Sequence, residues 1–430
     1  MSRLYYMFSI IILLMSISCR SSVKEPDSED SVSVGNVTIQ KEEGYYLVTI
    51  DMTQKYSHKQ TGQNYGKAII QTMPDFEATM DSYMVEISQG IDFEVFLKRI
   101  SDIKGSLPEE YTEEIEGMAE AVSGTENVLG DSKLTKDEVY FLSLIPDIIR
   151  ETQCSAVSVF GNFSATQSTV TGRNLDWNIG QDKQMAKTHT VTVIKNKNKS
   201  ICLIGTLGHL GCITGFNDNK VFAAILDSST RQPYSSENKR SYVYDLRYAL
   251  ENETSLEDVG AHMADMNKKY AFNHLIFLSD ENESKVLENN FSGTGAEMKR
   301  ASRSYDSKLN ESISWEFNHS VGAVNSFILH GNHDNHTKRP GNSERWKSLI
   351  QQISEKAEDG ITYDELKEII SFDNGDGPGE AREGDLYVAR NVQTILFQPN
   401  IFKLEVAFAP ADSNLPTDPI FKIIFTGNPF

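Results

Sequence analysis

Two stretches decide how this chain is read: Gln153-Cys154-Ser155-Ala156-Val157-Ser158-Val159 and, eighteen residues past the cysteine, Gly172-Arg173-Asn174-Leu175-Asp176-Trp177. A strand, a turn and a second strand would bring Cys154 beside Arg173. A guanidinium fixed next to a thiol favours the thiolate, which is the nucleophilic form. The carboxylate of Asp176, three residues on, can hold an ammonium or the guanidinium itself. The spacing alone leaves a plainer alternative open, with Cys154 as a small buried apolar side chain.

Working outward, the residues before Cys154 are mostly helical in pattern. A strand at 44–52 precedes apolar residues at helical spacing over 63–87, then helices over 92–103, 109–122 and 135–149. After Cys154 the character changes to strand-like runs at 189–194, 201–205, 221–225, 274–278 and 284–287, with a closing hairpin over 392–408. Helices at 241–251, 255–269, 343–357 and 362–371 interrupt them. Grouped strands and grouped helices predict an α+β fold with antiparallel sheets. The 430 residues are 39% hydrophobic and can fill a real core, and a net charge of −20 with no basic stripe disfavours a nucleic-acid partner.

The N-terminus reads as an address. Arg3, the apolar run from Met7 to Met15 and small residues at Ser16 and Ser18 give residues 1–18 the shape of a signal peptide. Ser16-Ile17-Ser18-Cys19 resembles a bacterial lipoprotein box, with Ser16 where that pattern usually has Leu. The expectation is an exported lipoprotein, lipidated at Cys19 and membrane-anchored at the periplasmic or cell-surface side; free secretion is the alternative. Residues 19–43, rich in Ser, Asp and Glu, read as a flexible acidic tether.

Cys154-Ser155 followed by Gly172-Arg173-Asn174-Leu175-Asp176-Trp177 resembles the signature of the cysteine N-terminal-nucleophile hydrolases, the superfamily of choloylglycine hydrolases, penicillin acyltransferases and acid ceramidase-like amidases. Further segments are similar in the same order. They are 58–66 and 113–121 upstream, and Gly208-His209-Leu210-Gly211-Cys212-Ile213-Thr214-Gly215-Phe216-Asn217, 246–251, Val324-Asn325-Ser326-Phe327 and Ser343-Glu344-Arg345 downstream. The family usually has Thr-Asn-His where this chain has Val324-Asn325-Ser326.

The resemblance implies a four-layer αββα sandwich. It also implies cleavage between Gln153 and Cys154 into a helical α-chain or propeptide, 44–153, and a catalytic β-chain, 154–430. The implied reaction is hydrolysis of a linear amide of a small N-acyl compound through a thioester, or acyl transfer to an amine, with no cofactor and no metal. The new α-amine, whose unperturbed pKa is near ~8, would take the thiol proton without help from any histidine. By the family pattern Asp176 would hold that amine, Arg173 would order the thiolate and incoming carbonyl, and Asn325 would donate to the oxyanion. Asn217 would be a second polar group facing substrate, and Arg345 would anchor Asp176 or a neighbouring carboxylate. A non-catalytic surface lipoprotein is the rival of another class, and a papain-like protease needs a paired histidine for which none of the nine has a matching context.

Two polar runs point elsewhere. His330, His333 and His336 recur beside turn formers and read as a loop rather than a ligand set, and Asp373 to Glu380 misses the calcium-loop spacing. Cys202 and Cys212 are expected either to pair across neighbouring strands or to be buried separately.

Overall fold

Period-two alternation sets the path from the first described residues. In the computed structural model, residues 30–149, 153–228, 233–291, 299–332, 339–375 and 377–430 are described. Val32, Val34, Val37 and Ile39 alternate with polar residues across a turn at Gly35, where φ is +57°. They form β1 (Ser31–Val34) and β2 (Val37–Glu42), with Val37 and Ile39 fully buried. This corrects the part of the expected 19–43 tether that is described, 30–43, because burying one face of the hairpin outweighs its polar content. The signal segment, Cys19, and His333 and His336 lie outside the described residues.

After β3 (Tyr45–Asp51) come five helices: α1 (His58–Thr72), α2 (Phe76–Ile87), α3 (Phe93–Lys104), α4 (Glu109–Ala119) and α5 (Lys136–Ile148). Reciprocal capping boxes, Ser57 with Gln60 and Thr135 with Glu138, start α1 and α5. The single helix expected over 63–87 is broken at Pro74, which has no N–H to continue the ladder. Helices α1 and α4 pack backbone to backbone. A Cβ on Gly62 would lie 2.1 Å from Glu114 O, and one on Gly117 would lie 2.2 Å from Lys59 O.

The rest of the chain supplies β4 (Gln153–Val159), β5 (Val170–Asp176), β6 (His189–Lys195), β7 (Ile201–Thr206), β8 (Thr214–Asn217) and β9 (Phe222–Asp227). Helices α6 (Tyr242–Asn252) and α7 (Leu256–Ala264) follow, then β10 (His274–Ser279), β11 (Ser284–Asn289), β12 (Arg300–Arg303) and β13 (Ser320–Val324). The chain closes with α8 (Pro340–Lys356), α9 (Tyr363–Ile370), β14 (Asn391–Gln398), β15 (Lys403–Phe408) and β16 (Phe421–Thr426). Helix α7 ends five residues before the expected Lys269, where the Asp265 side chain turns back on Asn267 N. The short strands β12 and β13 and the last strand, β16, were not anticipated.

One sheet runs β1-β2-β3-β6-β7-β8-β9-β10-β11-β12 and the other β13-β4-β5-β14-β15-β16. Every pair is antiparallel except β3 with β6, which is parallel. Because β3 precedes Cys154 and β6 follows it, residues 44–153 are not only helical; they are woven into the large sheet.

Strand β5 shows the layer order. Gly172 and Asn174 face α9, with a Gly172 Cβ 3.3 Å from Ile370 and Asn174 Nδ2 donating to Ile370 O at 2.8 Å. Thr171 and Arg173 face the large sheet, donating to Ser279 Oγ at 2.8 Å and Ile225 O at 2.7 Å. On that sheet Leu278, one residue before Ser279, packs against Gly260 of α7. Helix, sheet, sheet and helix therefore stack in that order, with Cys154 between the sheets.

Candidate active site

Cys154 is the second residue of β4 and lies directly opposite Leu175 of β5, with Ala156 opposite Arg173. Opposed residues of an antiparallel pair project to the same face, so Cys154, Leu175 and Arg173 share the inner face. Arg173 Nη2 lies 3.6 Å from Cys154 Sγ. The preceding residue, Gln153, is exposed while Cys154 is 1% exposed, so the Gln153–Cys154 bond is where the chain enters the interior.

The backbone nitrogen of Cys154 has an unusual partner. It donates to Asn325 Oδ1 at 2.7 Å rather than to a strand carbonyl. Arg345 Nη2 donates to the same oxygen at 2.9 Å, and two donors converging on one atom identify it as the carbonyl end of the carboxamide. Asn325 Nδ2 in turn donates to Asp227 O at 2.8 Å. Asn325 thus sits where expected, with its oxygen accepting from Cys154 N and one N–H of its carboxamide given to Asp227 O. Arg345, on α8, reaches Cys154 O at 2.7 Å and lies 3.9 Å from Asp176 Oδ2.

Burial works against every charge here. It pushes the Cys154 thiol up to about 11, with Arg173 opposing and Asp176 and Asp227 adding to the rise. It pushes Asp176 up to about 7 against the pull of Arg345 and a hydrogen bond from Asn391. Both Arg173 and Arg345 are drawn below the usual guanidinium value by the same desolvation. Arg173 Nε and Nη1 and Asp176 Oδ2 have no hydrogen-bond partner among the described residues. A buried thiol in this setting needs a base, and the guanidinium keeps two open donors.

Cys154, Arg173, Asp176, Asn325 and Arg345 are brought together, whereas Asn217 is not part of the group. Its Nδ2 donates to Leu250 O and Glu253 O, and its Oδ1 accepts from Asn219 N and Val221 N. All four of its hydrogen-bonding positions are used in joining the end of α6 to a turn, which corrects the substrate-facing assignment. Asn391, which donates to Asp176 Oδ1 at 3.2 Å, was missed; 215 residues separate the two and no spacing links them. Cys202 and Cys212 are free and buried. Among the described residues no group of His, Cys, Asp and Glu could hold a metal, and no helix is long and apolar enough to cross a membrane.

A mostly apolar pocket lies against Leu175, the cross-strand partner of Cys154. Met80, Leu142, Ile145, Pro146, Leu175, Trp177, Met185, Thr206, Leu207, His209 and Ile213 line it. Ile213 O accepts from Ile225 N at 2.8 Å, and Ile225 O lies 4.0 Å from Cys154 Sγ.

Three solved structures resemble the chain: a Caenorhabditis elegans N-acylethanolamine-hydrolyzing acid amidase ortholog, penicillin V acylase from Agrobacterium tumefaciens, and a mutant conjugated bile acid hydrolase from Clostridium perfringens. The first is 12% identical, covers 57% of this chain and 93% of its own, and has a TM-score of 0.42. The second has 11% identity, 60% and 83% coverage and a TM-score of 0.37. The third has 13% identity, 63% and 96% coverage and a TM-score of 0.37. No protein-family model and no curated protein matches the chain. At these scores the likenesses carry no weight for the site, whose chemistry rests on its own geometry.

Proposed function

We propose that this protein is an amidase activated by cleavage between Gln153 and Cys154. The observation that carries the reading is the Cys154 nitrogen held at 2.7 Å by a buried side-chain carbonyl, with a guanidinium 3.6 Å from the sulfur of the same residue. An internal strand N–H has a neighbouring strand to bond to; a nitrogen destined to become a free amine needs an acceptor that stays with it. Asn325 Oδ1 is that acceptor, and Arg345 steadies it.

After cleavage the α-amine takes the thiol proton, which burial otherwise keeps on the sulfur. The thiolate attacks the amide carbon, a C–S bond forms, and the oxyanion meets the open N–H groups of Arg173. Collapse breaks the C–N bond, and the amine leaves with the proton from the α-ammonium. Water then adds to the thioester, gives its proton to the α-amine and releases the acid as the C–S bond breaks. Asp176, opposite Gln153 in the ladder, balances the positive charge of the ammonium and of Arg345. The apolar pocket takes the acyl group, and water rather than an added amine resolves the thioester. Product partition with and without an amine acceptor measures that last step.

The intact mass of purified protein tests the reading. Two fragments, the second beginning at Cys154, are expected, and Cys154→Ala is expected to give one uncut, inactive chain. An alanine variant that matures and turns over substrate would sink the proposal. We further propose export and lipid anchoring at Cys19; Cys19→Ala should move the protein from the membrane fraction to the soluble one.

A further inference from the structure

The pocket near Cys154 has Thr206, His209 and the Trp177 indole as the polar groups of its wall, and one His209 ring nitrogen has no partner among the described residues. His209 lines it among aliphatic and sulfur-containing side chains, and the indole of Trp177, also in the wall, is already engaged by Tyr83 Oη at 2.8 Å. His209 is 9% exposed, and its Nε2 has no hydrogen-bond partner among the described residues. Burial pushes its imidazole down to about 4 despite a hydrogen bond with the Gly211 backbone. The ring is therefore neutral near pH 7 and presents one N–H and one lone pair.

Other buried histidines settle this within the protein. His189 Nε2 meets Ala409 O at 3.1 Å, while His274 meets Phe272 O at 3.0 Å through Nδ1 and Asn289 Nδ2 at 3.1 Å through Nε2. A buried polar atom without a partner costs stability, and His209 Nε2 is such an atom in the wall of a pocket.

Resting on the amidase reading above, we propose that His209 recognises a hydroxyl group carried on the acyl part of the substrate. A hydroxyl donates to a bare ring nitrogen or accepts from a ring N–H, so it satisfies either tautomer. A neutral ring among apolar walls offers no counter-charge to a carboxylate or phosphate, and an all-carbon chain leaves Nε2 unmet.

The test compares kcat/KM for N-acyl amides of one chain length, plain or with a single hydroxyl moved along the chain. At least one hydroxylated isomer should exceed the plain chain by about tenfold. His209→Phe should erase that preference, bringing the hydroxylated and plain chains to equal kcat/KM. No preference in the wild type, or one that survives His209→Phe, overturns the proposal. A second readout needs no catalysis: the uncut Cys154→Ala protein should bind the matching free hydroxy acid more tightly than the plain acid, and lose the difference when His209→Phe is added. Selective binding through His209 with no amide turnover would uphold this inference and bring down the amidase reading. Equal turnover of plain and hydroxylated amides would do the reverse.

Discussion

Arg173 and Arg247 are both fully enclosed guanidiniums, 0% and 2% exposed, but one is saturated and the other is not. Arg247 Nε meets Glu251 Oε1 at 2.9 Å, and its Nη1 and Nη2 take the two oxygens of Glu114 at 2.6 and 3.1 Å. Burial pulls Arg247 down, yet the two carboxylates overcome it and hold the group well above its ordinary value. At Arg173 burial wins, and Nε and Nη1 stay open. The saturated cluster joins α4 to α6, across the Gln153–Cys154 bond, and behaves as structure. The open one has donor atoms without a partner among the described residues, as the proposed oxyanion contact requires.

That contrast can be broken or sharpened by substitution. Arg173→Lys keeps the charge but loses the fork. Turnover should fall on the order of 10² to 10³ with the melting temperature little changed; a loss confined to stability would make Arg173 a second Arg247. Glu114→Gln should do the opposite. Leaving Arg247 half-paired in the interior destabilises by about 3 to 5 kcal/mol, read by denaturant unfolding, with activity per folded molecule unchanged.

The smallest effect concerns Asp147, at the end of α5, which accepts from Ser241 Oγ at 2.6 Å and Tyr242 N at 2.9 Å. Burial pushes its carboxyl from 3.8 up to about 8. Between those values the folded chain keeps a proton that the unfolded chain releases. The stability from this group is therefore full below the lower value and falls as pH rises through the upper. Asp147→Asn should flatten the drop in melting temperature between pH 5 and 8; an unaltered slope would show that the carboxyl does not titrate there.

Much of the scaffold was legible because periodicity reports burial directly: β3, α5, β6, β10 and the β14–β15 hairpin lie within a residue or two of their expected bounds. The misses have local causes. Pro74 divides one helical pattern in two, and the Ser and Asp content around β1 and β2 masked a clean alternation. The candidate site was legible in part: Cys154, Arg173, Asp176, Asn325 and Arg345 come together, Asn217 does not, and Asn391 was not anticipated. The strand–turn–strand spacing brings Cys154 and Arg173 onto adjoining strands, whereas Asp176 came from the family resemblance, being three residues from Arg173 and so on the other side of β5.

The orientation of Asn325 depends on Arg345 arriving from α8, and Asn217 is consumed by the end of α6. Such facts are settled by which donor meets which acceptor across long loops. The chain by itself therefore determined the two strands that carry Cys154 and Arg173 side by side, since strand geometry is a property of neighbours in sequence. Which polar atoms remain open, at Arg173 and at His209, was decided only when distant segments packed, because a hydrogen bond reads distance in space and not along the chain.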